Sequence, residues 1–237
     1  MSLKIKKGAF IGIMIAAILP LSLYFIMRSL HDGKVKLPNY YRVDEIVAYE
    51  KDGKAYRDTV FHQVKDLKLT NQLGEEISLN EDLKGKVLAI NFMFTTCESV
   101  CPQISRSVSE MQKAYAKKNP DWVQFISITV DPSRDSVAAL RVYADNFSAD
   151  HDQWYFLTGS KEAIFNYAKE ELGVVLQPED GSDGFVHSEN IILLDPERYI
   201  RGYYNALDAK SVSECANDIA VLKLEKKTLK QKQSSKR

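Results

Sequence analysis

The chain has 237 residues, 45% of them hydrophobic, with 32 basic and 32 acidic side chains. That length suits one ordinary domain plus appendages, and three cysteines are too few for a disulfide-built scaffold. The zero net charge hides a split: four basic residues lie in 1–28 and seven in 223–237, which leaves 21 basic against 31 acidic residues between them, a net of −10. A nucleic-acid-binding domain would carry the opposite sign.

Residues 1–8 form a basic N-terminus with Lys4, Lys6 and Lys7. Ala9–Met27 follows as nineteen residues without a charge, about 28 Å long as a helix and so able to span a bilayer. Pro20 is tolerable in such a helix. The flanking lysines predict a single-pass inner-membrane anchor with its N-terminus in the cytoplasm and the main domain periplasmic or otherwise extracytoplasmic. A cleaved signal peptide fits less well, because the apolar run is long and no A-x-A-like site follows.

Residues 28–60 read as a linker and a hairpin. His31–Tyr41 is polar and punctuated by Gly33 and Pro38, and Asp52-Gly53 is a turn signal between Glu45–Tyr49 and Ala55–Phe61. Residues 61–222 then read as one domain. Leu67–Thr70 and Ile77–Leu79 flank a second turn at Asn71–Gly74. Val87–Phe94 is short and mostly apolar, as a strand buried on both faces is. Pro102 suits the first position of a helix, with Ile104, Val108, Met111 and Tyr115 along one stripe. Asn119-Pro120 predicts its end.

Trp122–Val130 is another buried strand, closed by Asp131-Pro132. Ser136–Phe147 predicts a helix, Trp154–Leu157 a strand and Lys161–Leu172 a helix. Gln177–Gly184 has the composition of a mobile loop, and His187 follows it. Asn190–Leu194 and Tyr199–Tyr204 predict two strands around Asp195-Pro196, and Asp208–Lys223 a closing helix. Cys215 on that helix's apolar stripe is expected in the core. Residues 223–237 form a basic tail, expected to be a fraying helix end. Strands alternating with helices predict an α/β, thioredoxin-like three-layer domain with an N-terminal β-hairpin extension, preceded by a single transmembrane helix.

Cys97 and Cys101 lie at the strand-to-helix turn, with three residues between them. Backbone N–H groups at a helix start favour the thiolate, and sulfurs at this spacing can share a metal or form a disulfide. A peroxidase would place Thr or Ser three residues before the attacking Cys, where this chain has Phe94 or Glu98. His31, His62 and His151 read as surface residues. His187 differs, since it stands between a polar loop and a buried strand that a thioredoxin-like sheet carries towards the cysteine turn. Two thiolates and an imidazole suit both Cu(I) and Cu(II). Zinc is the second choice, because a structural site needs a fourth ligand and only Glu98 and Asp131 are at hand.

Three stretches in order carry a resemblance: F-T-T-C-E-S-V-C-P at Phe94–Pro102, I-S-I-T-V-D-P-S-R-D at Ile126–Asp135, and H-S-E-N-I-I-L-L-D-P at His187–Pro196. They resemble the Sco/SenC family of membrane-anchored, thioredoxin-like copper proteins over about Val64–Leu222. The resemblance implies a copper metallochaperone with Cys97, Cys101 and His187 as ligands. Its partners would be a copper donor protein and cytochrome c oxidase subunit II, whose CuA centre it would help assemble. It equally allows a thiol-disulfide reductase in which Cys97 and Cys101 are the redox pair and keep the partner's cysteines reduced. Asp131 matches a family aspartate near the site and also suits a plain Asp-Pro turn. The chain departs from the pattern at Met93, where the family often has Gly, and at Glu98, where it has Pro. Glu98 is expected either to raise the thiol pKa values or to act as a weak outer ligand. In place of the family's turn glycine, Glu197–Tyr199 is expected to form a type I turn.

Overall fold

The computed structural model describes residues 16, 18–26, 38–116, 120–178, 185–186 and 188–234. The chain divides into two compact units, Met1–Lys36 and Leu37–Arg237. In the first, residues 18–26 are helical and exposed. Among the described residues no helix is long and apolar enough to cross a membrane. Much of the anchor expected at 9–27 lies outside them.

The second unit opens with a hairpin, β1 (Val43–Lys51) and β2 (Lys54–Phe61). Its turn has Asp52 at φ 54° and Gly53 at φ 71°. Two left-handed residues in succession are what a tight hairpin needs, and Asp-Gly adopts them at least cost. A smaller hairpin joins β3 (Lys68–Thr70) to β4 (Glu76–Ser78).

The core is a sheet of order β11-β10-β5-β6-β7, formed by β5 (Val87–Met93), β6 (Val123–Thr129), β7 (Trp154–Leu157), β10 (Asn190–Leu194) and β11 (Ile200–Asn205). β5, β6 and β7 run parallel, whereas β10 and β11 are antiparallel to their neighbours. Every residue of β5 and β6 is buried, which is why both read as continuous apolar runs. Neighbouring residues of β11 show that helices cover both faces. Tyr204 donates its hydroxyl to Asp218 of α4 (Ala209–Ser234) at 2.6 Å, while Tyr203 donates to the Leu172 carbonyl at 2.8 Å. These are the three layers of the expected α/β arrangement.

α1 spans Cys101–Ala116 and buries Ile104, Val108, Met111 and Tyr115. Residues 117–119, where its end was expected, lie outside the described residues. α2 (Val137–Asn146) is capped by the Ser136 side chain, which accepts from the Ala139 N–H. α3 (Lys161–Asn166) does not run on regularly to Leu172 as expected, because Tyr167–Glu171 forms a π turn. Leu172 there donates to the Tyr167 carbonyl five residues back at 3.1 Å. The extra residue re-aims Glu171, and Gly173 at φ 68° ends the element.

Four further expectations need correction. The polar stretch from Gln177 is not loop throughout: β8 (Gln177–Pro178) pairs with β9 (Phe185–Val186), and residues 179–184 lie outside the described part. The closing helix does not stop at Lys223, since α4 continues to Ser234. Lys226 is not frayed: its ammonium donates to the Gly85 carbonyl at 3.1 Å and stands 5.3 Å above the Trp122 ring. His62 is not a solvated surface residue either. Nδ1 lies 2.9 Å from Asp44 and Nε2 lies 3.0 Å from Glu171, which ties the hairpin base to the π turn.

The β10–β11 turn is type I at its centre, with Arg198 N–H donating to the Asp195 carbonyl at 2.9 Å. It closes with Arg198 at φ 69°, where glycine is usual. The Arg198 guanidinium donates to the carbonyls of Leu79 and Leu83 at 2.7 Å and of Lys86 at 3.0 Å, and to Asn80 Oδ1 at 2.9 Å. These bonds offset the cost of a side chain in that conformation, about 1 kcal/mol.

Candidate metal centre

The cysteine loop leaves the C-terminal end of β5, at the middle of the sheet. The Val100 carbonyl accepts the first helical bond of α1 from Ile104 at 3.0 Å. Cys101 is therefore the first helical residue and Pro102 the second, one place later than expected. The amide of Cys101 has no partner within the helix and donates to Cys97 Sγ at 3.3 Å. Cys97 is 7% exposed and Cys101 is 0% exposed. Neither sulfur is in a disulfide.

The two thiols differ electrostatically. Burial would push Cys97 up, but the Cys101 amide, then the Cys101 side chain and the Ser99 and Val100 amides, outweigh it. The thiol thus sits below its ordinary value. Burial pushes Cys101 well up, and its hydrogen bond with Cys97 adds to that. Of the two, Cys97 is the thiol whose thiolate the surroundings favour, and Cys101 the one whose thiolate they disfavour. The expected rise from Glu98 is corrected here. Glu98 is exposed, and backbone amides govern Cys97.

Asp131 follows β6, and its carboxylate accepts from Ser133 Oγ at 2.7 Å and lies 3.6 Å from Arg134 Nε. That is the bonding of a turn residue. The acid that grips the cysteine loop is Asp135, which was not singled out in the sequence although it closes the second motif. It is 0% exposed and accepts from the Thr95 amide at 3.1 Å and from the hydroxyls of Thr95 and Thr129. The available signal was a pair of threonines, Thr95 and Thr129, at the ends of two apolar strands, with an acid closing the second motif. Ser105 and Tyr143, whose hydroxyls meet at 3.1 Å behind Cys101, were also missed.

His187 lies outside the described residues. The residues after it do approach the cysteine end of the sheet. Ile192 pairs with Ile90 and Leu194 with Leu88 in antiparallel register, so the chain before β10 runs towards the end of β5. The Glu189 carbonyl accepts from the Ala206 amide at 2.8 Å, and the Ala206 carbonyl accepts from Ser107 of α1 at 2.8 Å. Among the described residues no three His, Cys, Asp or Glu side chains are grouped to hold a metal. The described donors are two adjacent sulfurs, one of them with its thiol held below its ordinary value, which fits a soft ion needing one more ligand. Cys215 is 0% exposed in α4, in the core as expected, and burial pushes its thiol up.

Known proteins resemble the chain in sequence and fold. The SCO1/SenC family model matches residues 57–223. A SCO1 protein homolog of Bacillus subtilis is 30% identical over 168 residues, 70% of this chain and 86% of its own length. The solved structure of BsSco, described as a member of the Sco family of cytochrome c oxidase assembly proteins with a disulfide switch, is 31% identical. It superposes with a TM-score of 0.60, covering 68% of this chain and 93% of that one. Copper-bound ScoI of Bradyrhizobium japonicum is 28% identical with a TM-score of 0.57, covering 68% and 99%. With a thiol pair between a central strand and its helix, and with the family pattern running through the thioredoxin-like domain, the chain belongs to the SCO1/SenC family.

Proposed function

We propose that the protein is a copper metallochaperone that binds one copper ion through Cys97, Cys101 and His187 and assists assembly of the CuA centre on cytochrome c oxidase subunit II. The carrying observation is the buried thiol pair, in which the Cys101 amide stabilises Cys97 as a thiolate. Family membership and the copper held by the Bradyrhizobium relative support the choice of metal. The sulfurs suit Cu(I), and an imidazole extends the site to Cu(II). A donor protein would load the ion, and a thiol of the acceptor would displace one ligand at a time. A membrane anchor at residues 9–27, N-terminus inside, would hold the domain at the extracytoplasmic face where the oxidase partner matures.

A second reading is thiol-disulfide reduction, favoured by the unequal thiols and by the disulfide switch ascribed to BsSco. The Cys97 thiolate would attack a partner disulfide. Cys101 would then give up its proton and resolve the mixed disulfide, leaving the partner with two thiols and Cys97–Cys101 oxidised.

Anaerobic copper titration of the chain from Lys34 onward separates the two. Stoichiometric binding with thiolate-to-Cu(II) absorption is expected in wild type, lost in Cys97→Ser and in His187→Ala. His187→Ala should keep disulfide reduction within about twofold, since exchange chemistry needs only the thiols. A wild type that reduces disulfides but binds no copper would make the reductase the function.

A further inference from the structure

We propose that Asp135 is a positioning residue for the cysteine pair: its buried carboxylate holds Thr95 by backbone and hydroxyl, and so sets where Cys97 stands relative to Cys101. This extends the reading of the two cysteines as a reactive pair. Thr95 is two residues before Cys97, in a loop without regular structure. Its amide lies 3.1 Å and 3.3 Å from the two carboxylate oxygens, and its hydroxyl donates to one of them.

The carboxylate is itself fixed from behind. Thr129 Oγ1 at the end of β6 donates to it and accepts the Asp131 amide at 3.0 Å, while the Asp135 amide donates to the Asp131 carbonyl at 2.9 Å. β6 is in turn locked to the cysteine strand through Val130 N–H and the Met93 carbonyl, 2.9 Å apart. The grip runs unbroken from the β6 end to the residue that begins the cysteine loop. A carboxyl group that is 0% exposed needs several partners, and the Thr95 amide with the Thr95 and Thr129 hydroxyls supplies them. An Asn would turn an amide donor towards groups that are already donors. The same carboxyl group stands near Cys101, where its charge adds to burial and the Cys97 hydrogen bond in disfavouring a second thiolate.

The test is the redox equilibrium of the metal-free full-length chain with glutathione: protein disulfide plus two glutathione thiols gives protein dithiol plus glutathione disulfide. Alkylation and mass measurement count the thiols. In Asp135→Asn the slackened loop favours the dithiol. We expect the equilibrium to move towards it about tenfold, equivalent to a potential about 30 mV higher. Thr95→Val, which removes only the hydroxyl, should move it about threefold in the same direction, and Thr95→Ser should match wild type. Thermal melts of the same variants report stability separately. If Asp135→Asn and Thr95→Val melt lower yet hold the wild-type equilibrium within twofold, Asp135 is a fold residue only and the proposal falls. Should Asp135→Asn not fold, Thr95→Val decides alone: a wild-type equilibrium there overturns it. Copper takes no part in this measurement, so failure of the copper reading leaves it intact.

Discussion

At the scale of single residues, the chemistry of the site comes from an asymmetry between two like side chains. Cys97 accepts a helix N-terminal amide that would otherwise lack a partner, while Cys101 is sealed into the core. Brief alkylation with iodoacetamide at pH 7 should therefore label Cys97 at least about tenfold faster than Cys101. Peptide mapping would check this, and equal labelling would contradict the asymmetry. Residue type and spacing announced the pair. They also misjudged Glu98, because charge on an exposed side chain is screened whereas the amides at the helix start lie in direct contact with the sulfur.

At the scale of elements, two irregular features do work that no periodic pattern encodes. The first is the β10–β11 turn, where Arg198 takes the place of glycine and pins the Leu79–Lys86 segment through three carbonyls. Arg198→Ala should cost about 3 kcal/mol, since those buried carbonyls lose their donors. Denaturant unfolding measures this, and a loss below about 1 kcal/mol would mean that water replaces the guanidinium. The second is the π turn carrying Glu171 to His62 and to the Lys65 amide, at 3.0 Å and 2.9 Å. Burial raises the Glu171 carboxyl, but the Lys65 amide, His62 and the Lys65 ammonium outweigh that and hold it below 4.5. A depressed carboxyl contributes stability above its unfolded value and loses it as pH falls through the folded one. The melting temperature should accordingly fall more steeply between pH 5 and pH 3 (about the carboxylate range) in wild type than in Glu171→Gln. Parallel slopes would show that the contact is energetically silent.

At the scale of the whole molecule, the domain extends further at both ends than the hydrophobic pattern suggested. Arg201, 2% exposed at its side chain, bridges Asp195 at 3.0 Å, Glu225 at 3.1 Å and the Pro38 carbonyl at 2.7 Å. Residues before the hairpin and beyond Leu222 therefore converge on one buried cation. A chain ending at Leu222 should be less stable by about 2 kcal/mol than one ending at Lys226, because the buried guanidinium loses one of its two carboxylates. Equal melting temperatures for the two truncations would place the domain end at Leu222 after all.

The sequence by itself determined the buried strands, both early hairpins, the apolar stripe of α1, the core place of Cys215 and the position of the cysteine pair. Each depends on short-range pattern: continuous apolar runs, Asp-Gly at a turn, spacing along one helix face. Only the tertiary structure decided that Asp135, 38 residues from Cys97 in sequence, grips the cysteine loop while Asp131 binds its own turn. It also decided that His62 meets Glu171, and that Arg201 gathers both ends of the domain. These are hydrogen bonds between groups far apart in the chain. Residue type states only that such groups need partners, and the fold chooses which ones they find.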